Sequence, residues 1–163
     1  MGENDAQAPH LLLLEAIDAA YANHTGKGIG TDCCPIETER GGKWVRLAWI
    51  DSSAPFGILA HNTESDPKFI YVNNAAIRMF GYSRDEFIGM PSRLSASPDR
   101  RAARAAFLEV VRTRGIADNY ADIRVDRSGA PFRIRDGTVW QLNDGNGTFV
   151  GQAALIWFGG KAD

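Results

Sequence analysis

The chain has 163 residues, of which 44% are hydrophobic and 23% are charged. A chain of this length and composition forms one globular domain with enough buried apolar surface to fold without disulfides. Its net charge of −2 provides no general attraction to nucleic acid or to an anionic membrane surface. We therefore expect neither nucleic acid nor a membrane as a partner.

No segment of the sequence predicts export or membrane insertion. The apolar run at residues 11–14 is too short for the core of a signal peptide, and no run approaches the roughly 20 residues of a membrane span. The two cysteines, Cys33 and Cys34, are adjacent, whereas secreted domains usually carry several paired cysteines. These features predict a cytoplasmic protein.

Residues 10–21 carry hydrophobic side chains at helical spacing and predict an amphipathic helix. These side chains are Leu12, Leu13, Ala16, Ile17, Ala20 and Tyr21. Two interpretations stay open: the helix packs against the outer face of its own sheet, or it contacts a second copy of the chain. Residues 43–51 suit either a helix or a strand. Residues 1–54 are together predicted to form an N-terminal helical extension.

The central part of the sequence predicts a strand followed by short helices. Residues 69–72 form the aromatic and β-branched run that is typical of a strand. Asn73 or Asn74 is expected to cap the next helix, and Gly81 is expected to end it in the left-handed conformation. Residues 83–86 fit a capping box for a second short helix.

A longer helix is predicted from residues 97–99 to Gly115, which ends it. Its apolar face is predicted to contain Ala103, Phe107, Val110 and Val111. Its basic side chains are expected to form a solvated surface. They are Arg100, Arg101 and Arg104.

The sequence after Gly115 has the two-residue period of strands. Residues 121, 123 and 125 are apolar and alternate with polar residues, so the polar set is expected to face solvent. Residues 132–142 continue in a single phase, in which Asp136 interrupts an apolar face. Residues 149–158 are apolar in both phases, which predicts a central strand covered on both sides.

Motifs spread over residues 55–157 resemble the MEKHLA domain, a PAS-like family that occurs in bacterial proteins and at the C-terminus of plant homeodomain-leucine zipper regulators. The most specific motif is Pro-Ser-Arg-Leu-Ser-Ala at residues 91–96. Further matching residues are Pro55, Phe56, residues 60–63, Asp66, Pro67, residues 71–73, Ala75, Ala76, Phe80, Arg133, Ile134, Val139, Trp140 and residues 151–153. The resemblance also favours a helix over residues 43–51.

The strand and helix pattern and the resemblance together predict an α+β, PAS-like fold. We expect an antiparallel sheet of about five strands, short helices and one longer helix over residues 55–160. The resemblance implies a cavity between one face of the sheet and the short helices. Our leading hypothesis is a non-catalytic sensory module that binds a small ligand in this cavity and relays it through protein contacts. The alternative is a ligand-free homodimerisation module.

The candidate ligand-binding residues are polar residues inside apolar strand phases, together with Arg93, which lies in the turn of residues 91–95 beside the expected cavity. Arg93 and Gln152 are expected to bind the ligand, with Tyr71 and Trp140 as cavity walls. The further candidates are Asp136 and His61. In a second interpretation, Arg93 and Asp136 pair with each other or satisfy backbone groups of turns.

No cofactor is identified from the sequence. Covalent flavin photochemistry requires a cysteine among the short helices, and haem binding in PAS domains usually requires a histidine on the long helix; this chain has neither. His10, His24 and His61 do not lie at metal-ligand spacing, and no catalytic motif is present, so we predict no metal site and no enzyme activity. The expected partners are a small molecule and a second copy of the chain, contacted through the N-terminal helix and the outer sheet face.

Overall fold

An antiparallel sheet of five strands organises the structure, a computed structural model that describes residues 8–162. The helices are α1 (Pro9–Thr25), α2 (Ile36–Arg40), α3 (Lys43–Ser52), α4 (Asn74–Phe80), α5 (Arg84–Phe87) and α6 (Arg101–Arg114). The strands are β1 (Gly57–His61), β2 (Phe69–Val72), β3 (Ile116–Val125), β4 (Pro131–Asn143) and β5 (Phe149–Lys161). The strand order is β2-β1-β5-β4-β3, so β5 is central as predicted.

The predicted boundaries of the short helices are confirmed. The Asn73 side chain accepts a hydrogen bond from the N–H of Ala76 at the start of α4, and Gly81 ends the helix at φ 79°. Ser83 and Glu86 form both hydrogen bonds of the capping box. Local sequence therefore determines how the chain turns from β2 into α4 and α5.

Helices α1 and α3 cover one face of the sheet, which we call the outer face. Leu14 and Ile17 of α1 are fully buried there, and the indole Nε1–H of Trp140 in β4 donates to the carbonyl oxygen of Ile17 at 3.2 Å. Residues 43–52 form a helix. The first interpretation of the N-terminal helix is therefore correct, and a dimer contact through this same face would require α1 to leave it.

Helices α4, α5 and α6 lie on the opposite face, which we call the inner face. Phe80 and Phe87 pack against the apolar residues of the strands there, and their ring centroids lie 5.3 Å apart. No helix within residues 8–162 has the length and hydrophobicity that crossing a membrane requires. The predicted α+β architecture, an antiparallel five-stranded sheet with short helices and one longer helix, is confirmed.

A β-bulge in β4 corrects the prediction for Asp136. The strand gains one residue between Arg135, paired with Trp157, and Thr138, paired with Leu155, and Asp136 adopts a φ of 51° there. The extra residue exchanges the two faces of the strand. Before the bulge, the side chains of even-numbered residues face the inner side of the sheet. After the bulge, the side chains of odd-numbered residues do. Asp136 therefore lies exposed in the bulge and does not interrupt a buried apolar face.

Candidate functional site

A cavity of about 40 Å³ lies between the inner face and α6. We call it the inner cavity. Residues from the three adjacent strands β1, β5 and β4 form its floor, and α6 and β3 form its wall. Its polar lining residues are His61, Ser95, Arg104, Tyr120, Arg124 and Gln152. Most of its remaining lining is apolar, which is the usual composition of a small-molecule site.

A row of three polar side chains crosses the inner face of the sheet, and two of them, His61 and Gln152, line the inner cavity. Gln152 pairs with His61 on one side and with Gln141 on the other, and all three are buried. The Nε2 of Gln152 donates to the carbonyl oxygen of Leu108 in α6 at 2.8 Å and to Oε1 of Gln141 at 3.2 Å. Gln152 thus connects the centre of the sheet to α6.

Arg104 is buried in the inner cavity, which corrects the expectation of a solvated basic surface on α6. It is 9% exposed, and its Nε has no hydrogen-bond partner within the described chain. Burial lowers the pKa of Arg104 to about 10, and the nearby charge of Arg124 contributes to this shift. The guanidinium nevertheless remains protonated at neutral pH.

The polar side chains of β3 also face inward, contrary to prediction. Arg124 is 7% exposed; its Nη1 donates to Oδ2 of Asp122 at 2.8 Å and its Nη2 donates to the hydroxyl of Tyr120 at 2.7 Å. Burial raises the pKa of Asp122, but the N–H of Ile123 and the charge of Arg124 outweigh burial, so that this pKa lies below its ordinary value. The alternation in β3 was correct, and the assignment of its faces was wrong.

An open groove of about 400 Å³ lies beside the inner cavity. We call it the outer groove. The cavity and the groove share four residues, namely His61, Arg104, Leu108 and Gln152. These four side chains therefore form the boundary through which a ligand would reach the inner cavity from solvent.

The structure brings together only some of the sequence-based candidates. His61 and Gln152 lie side by side in the inner cavity. Arg93 lies half-exposed in the outer groove, where its Nε donates to Asp66 at 3.0 Å. Asp136 pairs with Arg135, so the proposed pair of Arg93 and Asp136 is wrong.

The two aromatic candidates lie on the other side of the sheet. Tyr71 belongs to the outer-face core, and its hydroxyl donates to Asp51 of α3 at 2.6 Å; burial and this hydrogen bond raise the pKa of Tyr71. Trp140 is fully buried against α1. Neither is a wall of the inner cavity. Tyr71 faces α3 on the outer side of the sheet, and the bulge in β4 turns Trp140 to the same side.

Sequence reasoning missed Arg104, Asp122 and Arg124. A signal for Arg104 existed, since it lies four residues before Leu108 and seven before Val111, on one face of the helix. In β3, the polar side chains that share one face are Tyr120, Asp122 and Arg124. Such a group can be buried because its members form hydrogen bonds and an ion pair with one another. The apolar residues between them indicated the opposite orientation, in which the polar side chains face solvent, and this indication was misleading.

His61 provides a pH-dependent contribution to stability. Its Nδ1–H donates to the carbonyl oxygen of Asn62 at 3.0 Å, which leaves Nε2 as an acceptor without a partner in the described residues. Burial lowers the pKa of His61, and the charge of Arg104 lowers it further. Folding therefore disfavours the charged imidazole.

We expect the free energy of unfolding to decrease as the pH falls from 7.5 to 5. The contribution of neutral His61 to the free energy of unfolding is fully present above the ordinary histidine pKa near 6.5. It is lost as the pH falls through the lowered pKa that His61 has in the folded protein. Each tenfold decrease in proton affinity on folding corresponds to about 1.4 kcal/mol. Urea denaturation should show a shallower decrease for His61→Gln. The exposed His24→Gln should keep the wild-type slope, and equal slopes for all three proteins would contradict the prediction.

The inner cavity does not fit covalent flavin chemistry. Cys33 and Cys34 lie in the loop between α1 and α2, and Cys33 contacts a surface pocket beside Tyr21 and Trp157 on the outer side of the sheet. A cavity of about 40 Å³ holds roughly three water molecules, which is far less than a flavin ring requires. Within residues 8–162, no three His, Cys, Asp or Glu side chains are placed to hold a metal ion.

Comparison with solved structures shows that the fold is shared. The chain is similar to the PAS domain of a protein from Colwellia psychrerythraea, with 17% identity, a TM-score of 0.62, and coverage of 69% of this chain and 92% of that one. It is also similar to a light-oxygen-voltage domain studied with a flavin analogue, with 16% identity, a TM-score of 0.53, and coverage of 66% and 77%. No curated protein sequence matches the chain.

The family model of the MEKHLA domain matches residues 13–158. The match begins within α1 and ends within β5, so it includes the helices that cover the outer face as well as the inner cavity. The resemblance of residues 55–157 to this family is therefore confirmed, and the match extends towards the N-terminus. Since the match spans most of the chain, this protein belongs to the MEKHLA domain family and has a PAS-like fold.

Proposed function

We propose that this chain is a non-catalytic sensory module that binds a small polar ligand in the inner cavity and relays its presence to a protein partner. The observation that carries the proposal is a pair of buried polar atoms, Nε of Arg104 and Nε2 of His61, which have no partner among residues 8–162 and belong to side chains lining one cavity. A buried polar group without a partner costs about 1–3 kcal/mol. A ligand that satisfies both atoms would recover this free energy.

The lining of the inner cavity supports binding rather than catalysis. The hydroxyl of Ser95 donates to the carbonyl oxygen of Ser92 at 2.7 Å, and the hydroxyl of Tyr120 donates to Asp122 at 2.9 Å. Neither hydroxyl contacts His61 as a nucleophile activated by a base would. The polar groups that stay available are a cation and a neutral imidazole nitrogen, which suit recognition of a ligand.

Strand β4 offers a route from the cavity to the outer face. Gln141 accepts a hydrogen bond from Gln152 on the inner face, and the next residue towards the N-terminus, Trp140, donates to Ile17 of α1 on the outer face. A ligand that displaces Gln152 would shift this part of β4 and change the contact with α1. In this proposal, α1 is the element whose position reports the ligand.

Native mass spectrometry of freshly purified protein tests whether the cavity is occupied. We expect an additional mass that disappears on denaturation. Leu108→Trp, at the boundary between cavity and groove, should abolish it, and Val110→Trp, at a 41% exposed position of the same helix, should not. An additional mass that persists in Leu108→Trp would place the ligand elsewhere. A ligand-free dimer would favour the alternative proposal, a homodimerisation module.

A further inference from the structure

The inner cavity contains more buried positive charge than negative charge. Arg104 and Arg124 are both buried, and within the described chain the carboxylate in contact with this cluster is Asp122. Arg100 also pairs with Asp122, but its side chain is 43% exposed, so water stabilises its charge. His61 and Tyr120 are the other titratable groups near Arg104; burial lowers the pKa of His61 and raises that of Tyr120, so neither supplies a negative charge at neutral pH. One buried guanidinium therefore lacks a counterion.

Asp122 has no capacity left for Arg104. Its Oδ1 accepts from Nη1 of Arg100 at 2.9 Å and from the N–H of Ile123 at 2.8 Å. Its Oδ2 accepts from the hydroxyl of Tyr120 at 2.9 Å and from Nη1 of Arg124 at 2.8 Å. A carboxylate offers about four acceptor positions, and all four are occupied.

The acidic side chains of the outer groove are also engaged. Glu109 pairs with Arg112 on α6, Asp66 pairs with Arg93 across the groove, and Glu64 pairs with Lys68. All three pairs lie at positions that are about half exposed, where water screens them. None of these carboxylates neutralises Arg104, so residues 8–162 supply no counterion for it.

We propose that the ligand of the inner cavity is a small monocarboxylate whose carboxylate group binds Arg104, an inference that rests on the proposed function. A planar carboxylate matches the guanidinium plane and forms strong, charge-assisted hydrogen bonds. A single negative charge balances the one uncompensated guanidinium, whereas a dianion would leave an excess of negative charge in the cavity. The neutral Nε2 of His61 accepts hydrogen bonds, so it complements a hydroxyl on the same ligand.

The two connected spaces match the two ends of such a molecule. The inner cavity of about 40 Å³ has room for roughly three water-sized groups, which is the size of a carboxylate. The outer groove of about 400 Å³ is large enough for the remainder of the ligand. Arg104 lines both spaces and is therefore placed where the head of the ligand enters.

NMR titration with short-chain carboxylates and their matched primary amides, beginning with lactate and lactamide, tests the inference. Each pair has the same number of heavy atoms and differs in charge. We expect the acid to bind about tenfold or more tightly than the amide. Arg104→Met should weaken acid binding by about tenfold or more, Arg104→Lys should restore part of it, and Arg114→Met, at an exposed position of α6 that lines neither space, should leave it within about twofold. Thermal unfolding checks that every variant is folded.

Each result leads to a different conclusion. Acid binding that depends on Arg104 supports the inference. Equal binding of acid and amide, lost in Leu108→Trp, would overturn the carboxylate while the proposed sensory function stands. Stronger binding of inorganic phosphate than of any carboxylate would overturn the assignment to monocarboxylates. If no probe binds and the purified protein has the mass of the chain alone, both the inference and the proposed function fail.

Discussion

Asp122→Asn should lower the free energy of unfolding by about 3 kcal/mol, which is a large part of the 5–15 kcal/mol typical of a domain. The variant keeps the shape of the side chain but leaves Arg124 and Arg104 as two buried cations without a carboxylate. We take the lower end of the range for broken buried ion pairs because Asp122 also pairs with Arg100, whose side chain is 43% exposed, so that water reaches the edge of this cluster. Urea denaturation monitored by circular dichroism measures the change.

Asp118→Asn is the matched control because Asp118 is exposed on the same strand. It should change stability by less than about 0.5 kcal/mol. Adding Arg104→Met to Asp122→Asn should recover part of the loss, since it removes one of the two uncompensated charges. A loss for Asp122→Asn no larger than for the control would show that the carboxylate is not needed to balance the buried arginines.

Asp18→Asn should be at least as harmful, with an expected loss of about 3–5 kcal/mol. The carboxylate of Asp18 in α1 accepts two hydrogen bonds of 2.8 Å from Arg46 in α3, and a third of 2.7 Å from the N–H of Ile29. Asp18 is 5% exposed and Ile29 is fully buried. The substitution leaves a guanidinium whose side chain is 11% exposed without its carboxylate, and it weakens the attachment of α1, α3 and the loop between α1 and α2 to one another.

Glu15→Gln provides the control for this second substitution. Glu15 also lies in α1 and pairs with Lys43 in α3, but the two side chains are 34% and 49% exposed. An exposed ion pair of this kind contributes about 0–1 kcal/mol. The two variants thus compare a buried and an exposed ion pair between the same helices by urea denaturation. Equal losses would contradict the importance that we assign to burial.

Local signals in the sequence determined much of the fold. An N-cap at Asn73 or Asn74, the left-handed Gly81 and the capping box at Ser83 were predicted from neighbouring residues; Asn73 forms the N-cap, and the other two are confirmed. These features are accessible from sequence because each depends on hydrogen bonds within a few residues. The short helix α2 was not predicted, since it contains five residues and buries no side chain.

The candidate site was predicted less well, because it depends on which face each strand turns to the core. His61 and Gln152, which were predicted to bind a ligand, do line the cavity. The role of Arg104 depends on β3 supplying Asp122 and Arg124, which is a tertiary relation that spacing along α6 does not reveal. Arg93 was chosen for its place in the most specific motif, yet its partner is Asp66 in the turn between β1 and β2.

The bulge at Asp136 divides β4 into two segments whose even-numbered side chains face opposite sides of the sheet. The N-terminal segment contributes Phe132 and Ile134 to the inner core, and the C-terminal segment contributes Trp140 and Leu142 to the outer core. Loss of one residue at the bulge would leave every later side chain chemically unchanged but would exchange its side of the sheet. Chain length at this position therefore matters more than residue identity, because a single-residue insertion or deletion there would exchange the side chains that face the inner cavity with those that face the helices of the outer face.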